Sequence, residues 1–223
     1  MLSAFGKAFR TPDLRKKIFF TLSIMALFRF GSVVPTPGVS YKNVQECLNQ
    51  VQTGGLFGLI NLFSGGALLH LSVFALGIMP YITSSIIVQL LTVVIPRFEA
   101  LKNEGQSGTA KLTQYTRYLT VGLAILQSTG LVAVARTTGR LINGCTLPII
   151  PDTSWQRIVT MIFVMTAGTS VIMWLGELIT DRGVGNGMSI LIFTSIAAGF
   201  PGNLWSIKLQ KGLFAFLFVL AVG

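Results

Sequence analysis

The 223 residues are 52% hydrophobic and only 11% charged, whereas an ordinary soluble domain carries about 25% charged residues. A water-exposed globular fold is thereby excluded as the main architecture, and at roughly 20 apolar residues per crossing of a ~30 Å hydrocarbon layer the chain supplies five or so spans. The formal charge of +10, from 17 Lys and Arg against 7 Asp and Glu, comes with no RNA-binding motif; its cations crowd into Lys7–Lys17 and Arg97–Arg117, as expected of loops beside anionic lipid.

Residues 1–17 read as a cytoplasmic amino-terminal segment. The first apolar run, Ile18–Val34, stops where Pro35 and Pro37 cannot extend a helix. No small-residue cleavage site follows it, and further apolar runs do, so it is a retained first helix and not a removed signal. Arg29 lies inside this run and is costly there unless it faces protein, water or a partner, which makes it a candidate functional residue.

Between the first and second spans, at 54–66, Gly54 and Gly55 precede an apolar stretch and Gly65 and Gly66 follow it. The stretch is too short to cross a membrane, and the glycine pairs let it pivot, as a re-entrant element would. Asn61 and Ser64 are equally compatible with an amphipathic helix lying on the lipid surface.

The second run, Leu68–Ile95, is long enough to span with tilt; Pro80 is a kink point and Arg97 closes it. Ile78, Ile82, Ser85 and Gln89 fall at i, i+4, i+7 and i+11, one stripe of a helix that is apolar in the middle and polar at one end. Lining a pore, the stripe makes a dry waist that opens into a wet funnel and resists ions by dewetting. Aliphatics four apart also occur on ordinary lipid-facing helices, so the spacing alone leaves both readings open.

The third run, Tyr118–Ala135, lies between Arg117 and Arg136, and the fourth, Ile158–Ile179, carries Glu177 near its end. Asp181–Gly187 is a glycine-rich connection that lacks the GxGxxG pattern and a preceding strand, so it reads as a tight turn and not a phosphate cradle. The fifth run, Met188–Phe200, reaches only about 20 Å as a helix and cannot span lipid alone. Such a segment is tolerated where one end starts in a protein-lined, water-filled cavity, which points to a channel or transporter. Met188 and Ile192 repeat the i, i+4 aliphatic spacing. Residues 18–200 thus form the body, and 201–223 an external loop and the start of a sixth helix from Leu213.

With five crossings and an intracellular start, ten Lys and Arg fall inside and six outside, with Arg29 in a span. The bias places the amino terminus in the cytoplasm. Cys47 and Cys145 then fall in external loops, where oxidation is available but two isolated cysteines are expected to stay unpaired. His70 is the single histidine, and HExxH and GxSxG are absent, so neither metal, cofactor nor enzyme chemistry is expected.

Leu62–Ala67 followed by Phe74–Ile82, together with Gln89–Val94, Glu104–Gly108, Gln114–Tyr118 and Met173–Gly187, resembles the SecY family of protein-conducting channels. The similarity runs over essentially the whole chain. It implies an all-α membrane protein, one half of an inverted-repeat channel, with five transmembrane helices, the start of a sixth and a short re-entrant plug helix. The implied function is secretion of unfolded preproteins across the plasma membrane and insertion of membrane proteins into it.

By the same resemblance the plug is Leu56, Phe57, Gly58, Leu59, Ile60, Asn61, Leu62 and Phe63. The pore ring is Ile78, Ile82, Met188 and Ile192, and Ser85, Gln89 and Gln127 lie near the lateral gate. Family rings are dominated by isoleucine, so Met188 is a departure, although a flexible thioether still seals and yields. The implied partners are the SecE and SecG subunits, the SecA motor or a ribosome, signal sequences and nascent chains, the lipid bilayer, and a carboxy-terminal half of the same protein. Without that half this chain is not expected to translocate. The rival reading is half of a secondary transporter with broken helices; it calls for ionisable groups at membrane depth, where only Arg29 and Glu177 stand.

Overall fold

The computed structural model describes residues 12–50, 67–68, 70–137 and 147–198. Their helices are α1 (Pro12–Val33), α2 (Tyr41–Gln50), α3 (Met79–Val94), α4 (Pro96–Asn103), α5 (Gln106–Arg136), α6 (Trp155–Arg182) and α7 (Gly187–Ala198). Among these residues β-structure is limited to one bridge, Pro35 with Ser72. The proposed plug, Leu56–Phe63, lies outside the described residues.

Helices α5 and α6 are the backbone of the fold. With 31 and 28 residues they are long and apolar enough to cross a membrane, and they run antiparallel, with Ser128 Oγ 3.5 Å from Thr166 Oγ1 where they touch. The contact face is built from small residues: Thr120, Ala124 and Ser128 are buried on α5, and Thr166 on α6. Small side chains let membrane helices approach closely. The hydroxyls return to the carbonyl four residues back, Thr120 to Thr116 and Thr169 to Met165, so polar residues sit inside a span without orphaned donors.

The second apolar run differs from its predicted form. Residues 67, 68 and 70–78 run through turns, and the helix begins only at Met79. Leu71 and Gly77 have positive φ, 46° and 57°, which breaks any helix through them. Pro80 therefore opens the helix and does not kink it, since a residue without N–H costs nothing in the first turn. At the other end Pro96 holds Ile95 extended (φ −105°, ψ 115°), as expected of a residue before proline. Helix α4 consequently leaves α3 at 101°.

Two spans, or three if the bent α3–α4 pair is one, satisfy length and composition among the described residues. Helix α1 carries Arg15, Lys16, Lys17 and Arg29 in its 22 residues, and α7 is too short. Arg29 is half-buried and partnered.

Two apolar clusters hold the helices together. One gathers Leu71, Leu76, Leu131, Val132, Ile158, Met161 and Met165 with Val44, Cys47, Ile149 and Ile150. The other gathers Ile24 and Phe28 of α1 with Phe74, Ile78, Ile172, Leu175, Ile179 and Leu191, and Phe28 stacks on Phe74 at 5.9 Å. The end of α1 is tied to the turns by backbone bonds from Thr36 N to Leu71 O (3.0 Å) and from Val73 N to Val34 O (2.9 Å).

The expectation of unpaired cysteines is corrected. Cys47 is disulfide-bonded, and the sequence has one other cysteine, Cys145, which lies outside the described residues. The reason is tertiary: Asn43 Nδ2 donates to Pro148 O at 2.8 Å and Ser40 N to Ile149 O at 3.0 Å. Helix α2 is thereby fixed against the stretch before α6, with Cys47 fully buried between them.

Candidate functional site

The predicted stripe on α3 faces a cavity of about 500 Å³. Ile82, Ser85 and Gln89 line it from α3, with Tyr81 and Ile86 beside them. Thr113 and Arg117 line it from α5, Glu177, Thr180 and Asp181 from α6, and Asn186, Met188 and Ser189 from the last connection. One wall of this space is aliphatic, and the rest carries hydroxyl, amide and charged groups.

The four ring candidates come together in one apolar cluster. Ile82, Met188 and Ile192 are partly buried against Phe28, Phe74, Ile172, Leu175, Ile179 and Leu191. Ile78 belongs to the same cluster but is only 2% exposed, because it precedes the first turn of α3 and is packed beneath the cavity floor. Ile82 and Met188 alone among the four line the open space. Ile86, one turn on from Ile82, lines it as well. Gln89 Nε2 reaches Ser85 Oγ at 3.4 Å, a long contact that leaves both groups available to water. Gln127 is half-buried on α5 and is not part of the cavity wall; ten residues separate it from Arg117, about 15 Å of helix.

The glycine-rich connection turns back as its composition predicts. Gly185 takes φ +72°, and Asn186 caps α7, its Oδ1 accepting from Met188 N (3.1 Å) and Ser189 N (3.3 Å). Thr180 Oγ1 accepts from Gly187 N at 2.9 Å, and Thr21 Oγ1 from Val184 N at 3.3 Å. A Cβ at Gly187 would collide with the Gly176 carbonyl oxygen. Glycine is what allows α7 to start against α6 and carry Met188 to the cavity.

Arg117 and Glu177 are the pair the sequence had not joined. Arg117 Nε and Nη2 donate to Glu177 Oε1 and Oε2 at 2.8 and 2.7 Å, a two-pronged bridge between α5 and α6 at the polar wall. Glu177 is 19% exposed and Arg117 50%. One signal was available: in an antiparallel hairpin a carboxylate near the end of one span needs a cation level with it. Arg117 and Glu177 are each eleven residues from the Ser128–Thr166 contact.

A family profile, SecY, matches residues 72–223. The chain belongs to the SecY family. Its relatives include the protein translocase subunit SecY of Streptomyces coelicolor, 68% identical over 216 residues, covering 96% of this chain and 49% of the relative. That of Mycobacterium tuberculosis H37Rv is 57% identical over 226 residues, covering 100% of this chain and 51% of the relative. This SecY-family chain thus spans about half the length of those proteins and corresponds to the amino-terminal half. In fold it is similar to Sec61 in the canine ribosome–channel complex from the endoplasmic reticulum, with a TM-score of 0.56 at 18% identity over 93% of this chain and 41% of that one. A second neighbour, a structure of a protein-conducting channel, gives the same values.

Proposed function

We propose that this chain supplies the amino-terminal wall of a protein-conducting channel for unfolded preproteins and for membrane proteins entering the plasma membrane. The observation that carries the reading is the cavity: a space of about 500 Å³ with a polar wall, floored by Ile82 and Met188, which share one apolar cluster with Ile78 and Ile192. A hydrated funnel that narrows to a dry waist resists ions at rest and yields to a polypeptide.

In this reading the half-channel has five crossings with the amino terminus in the cytoplasm, and α7 is the short fifth one. The plug is Leu56–Phe63, and Ser85, Gln89 and Gln127 lie towards the lateral gate. Completion comes from a carboxy-terminal half, with SecE and SecG subunits beside it and a SecA motor or ribosome delivering signal sequences and nascent chains. The ribosome complex of the Sec61 neighbour supports that last element.

The test is made in the complete channel. Ile82→Ser is expected to wet the waist and raise resting ion conductance in planar bilayers, while Ile82→Leu changes little. The control is Leu90, which is 61% exposed on α3 and outside both the cavity wall and the apolar cluster. Equal leakage from Leu90→Ser and Ile82→Ser, or leakage from neither, returns the ring to ordinary packing.

A further inference from the structure

A second groove opens at the other end of the α5–α6 hairpin. It holds about 410 Å³ and is lined by Ile125, Val132 and Arg136 on α5 and by Trp155, Ile162 and Phe163 on α6, among others. Phe163 is 70% exposed and Trp155 77%. The Thr129 hydroxyl in its wall is already bonded to Ile125 O at 2.7 Å, so the floor presents hydrocarbon and no free donor.

Depth along the helix fixes what this groove meets. Arg117 and Arg136 are nineteen residues apart on α5, about 28 Å of helix, nearly one hydrocarbon thickness of ~30 Å. The Arg117–Glu177 bridge therefore marks one membrane boundary, and Arg136 with Trp155 marks the other, where tryptophan is enriched. From Arg136 the groove runs back to Ile125, about 16 Å towards the bilayer centre.

The charge at its rim is unanswered. Among the described residues no carboxylate lies within 4 Å of Arg136; the ion pairs join Lys111 with Glu104, Arg117 with Glu177 and Arg157 with Asp152. Asp152, three residues before Trp155, is held below the usual carboxylate range by the Ser154 backbone N–H and then by Arg157. It is bonded to Ser154 N at 3.1 Å and Arg157 Nε at 2.9 Å. A zwitterionic headgroup would find a cation here, while the neighbouring Asp152 is already committed to Ser154 and Arg157.

We propose that this groove is a binding site for an anionic phospholipid, its phosphate on Arg136, its glycerol beside Trp155 and one acyl chain between Val132 and Phe163. The size favours a single chain over a protein partner. An α-helix of about 10 Å diameter and 16 Å length occupies on the order of 1,200 Å³, three times the groove, and would lie across its rim. The site is independent of the channel reading and needs only that α5 and α6 span the membrane.

The experiment uses the complete channel with Trp155 as its sole tryptophan, reconstituted in phosphatidylcholine vesicles doped with lipid brominated on its acyl chains. Brominated phosphatidylglycerol should quench Trp155 as though enriched about fivefold over brominated phosphatidylcholine at equal mole fraction, the preference one surface cation confers on an anionic lipid. Arg136→Gln should bring the two lipids level, while Arg136→Lys, which keeps the charge, should preserve the preference and exclude a folding defect. Equal quenching by both lipids in the parent channel, or a preference that survives Arg136→Gln, overturns the site. Absence of quenching by either lipid does so too, because a protein helix then covers the groove.

Discussion

Removing the bridge between Arg117 and Glu177 tests the geometry of the cavity wall most directly. An exposed ion pair contributes about 0.2–1 kcal/mol, whereas removing one partner of a fully buried pair costs about 3–5 kcal/mol. With Glu177 19% and Arg117 50% exposed and both prongs under 3 Å, the coupling belongs between these limits, at about 1–2 kcal/mol. The two single variants should differ. Glu177→Gln leaves Arg117 within the field of Asp181, which lines the same cavity; Arg117→Gln leaves a mostly buried carboxylate with no other ion-pair partner among the described residues and a second carboxylate nearby. Arg117→Gln is therefore expected to be the more destabilising, by about 1 kcal/mol. The assay is a double-mutant cycle on the complete channel in detergent, read from thermal unfolding, with Arg117→Gln/Glu177→Gln as the fourth corner. A coupling below about 0.3 kcal/mol, within the additivity error of such cycles, or Glu177→Gln as the worse single variant, refutes this account of the wall.

The close approach of α7 to α6 predicts that Gly187→Ala destabilises the complete channel and lowers signal-sequence-dependent transport, because its Cβ meets the rigid Gly176 carbonyl oxygen. Backbone shifts of this kind cost about 1–3 kcal/mol, and an unchanged melting temperature would show that α7 sits farther out. The Cys47 disulfide predicts that the folded protein, denatured without reductant, leaves Cys47 unreactive to maleimide, and that Cys47→Ala costs about 2–4 kcal/mol. Quantitative labelling of Cys47 under those conditions would contradict the bond.

Composition by itself determined the solvent: so few charges and so many apolar residues leave a bilayer as the environment, and each backbone polar group must then be paired within a helix. Helical period determined that Ile82, Ser85 and Gln89 share a face, since that follows from 3.6 residues per turn whatever surrounds the helix. Glycines and Asn186 determined the turn into α7, because positive φ and capping are local. Period does not say what a face meets. Only the tertiary structure packed Ile78 out of the open cavity, and only it joined Arg117 to Glu177, 60 residues apart. Only it started α3 at Met79, where the turn at Leu71 is held by pairing with the chain leaving α1 and Gly77 N bonds back to Phe74 O. It likewise put Cys47 in a disulfide, since helix α2 is docked by hydrogen bonds to residues about a hundred positions away. Each of these depends on which segments become neighbours, and that choice rests on packing summed over the whole bundle, which no single stretch of sequence contains.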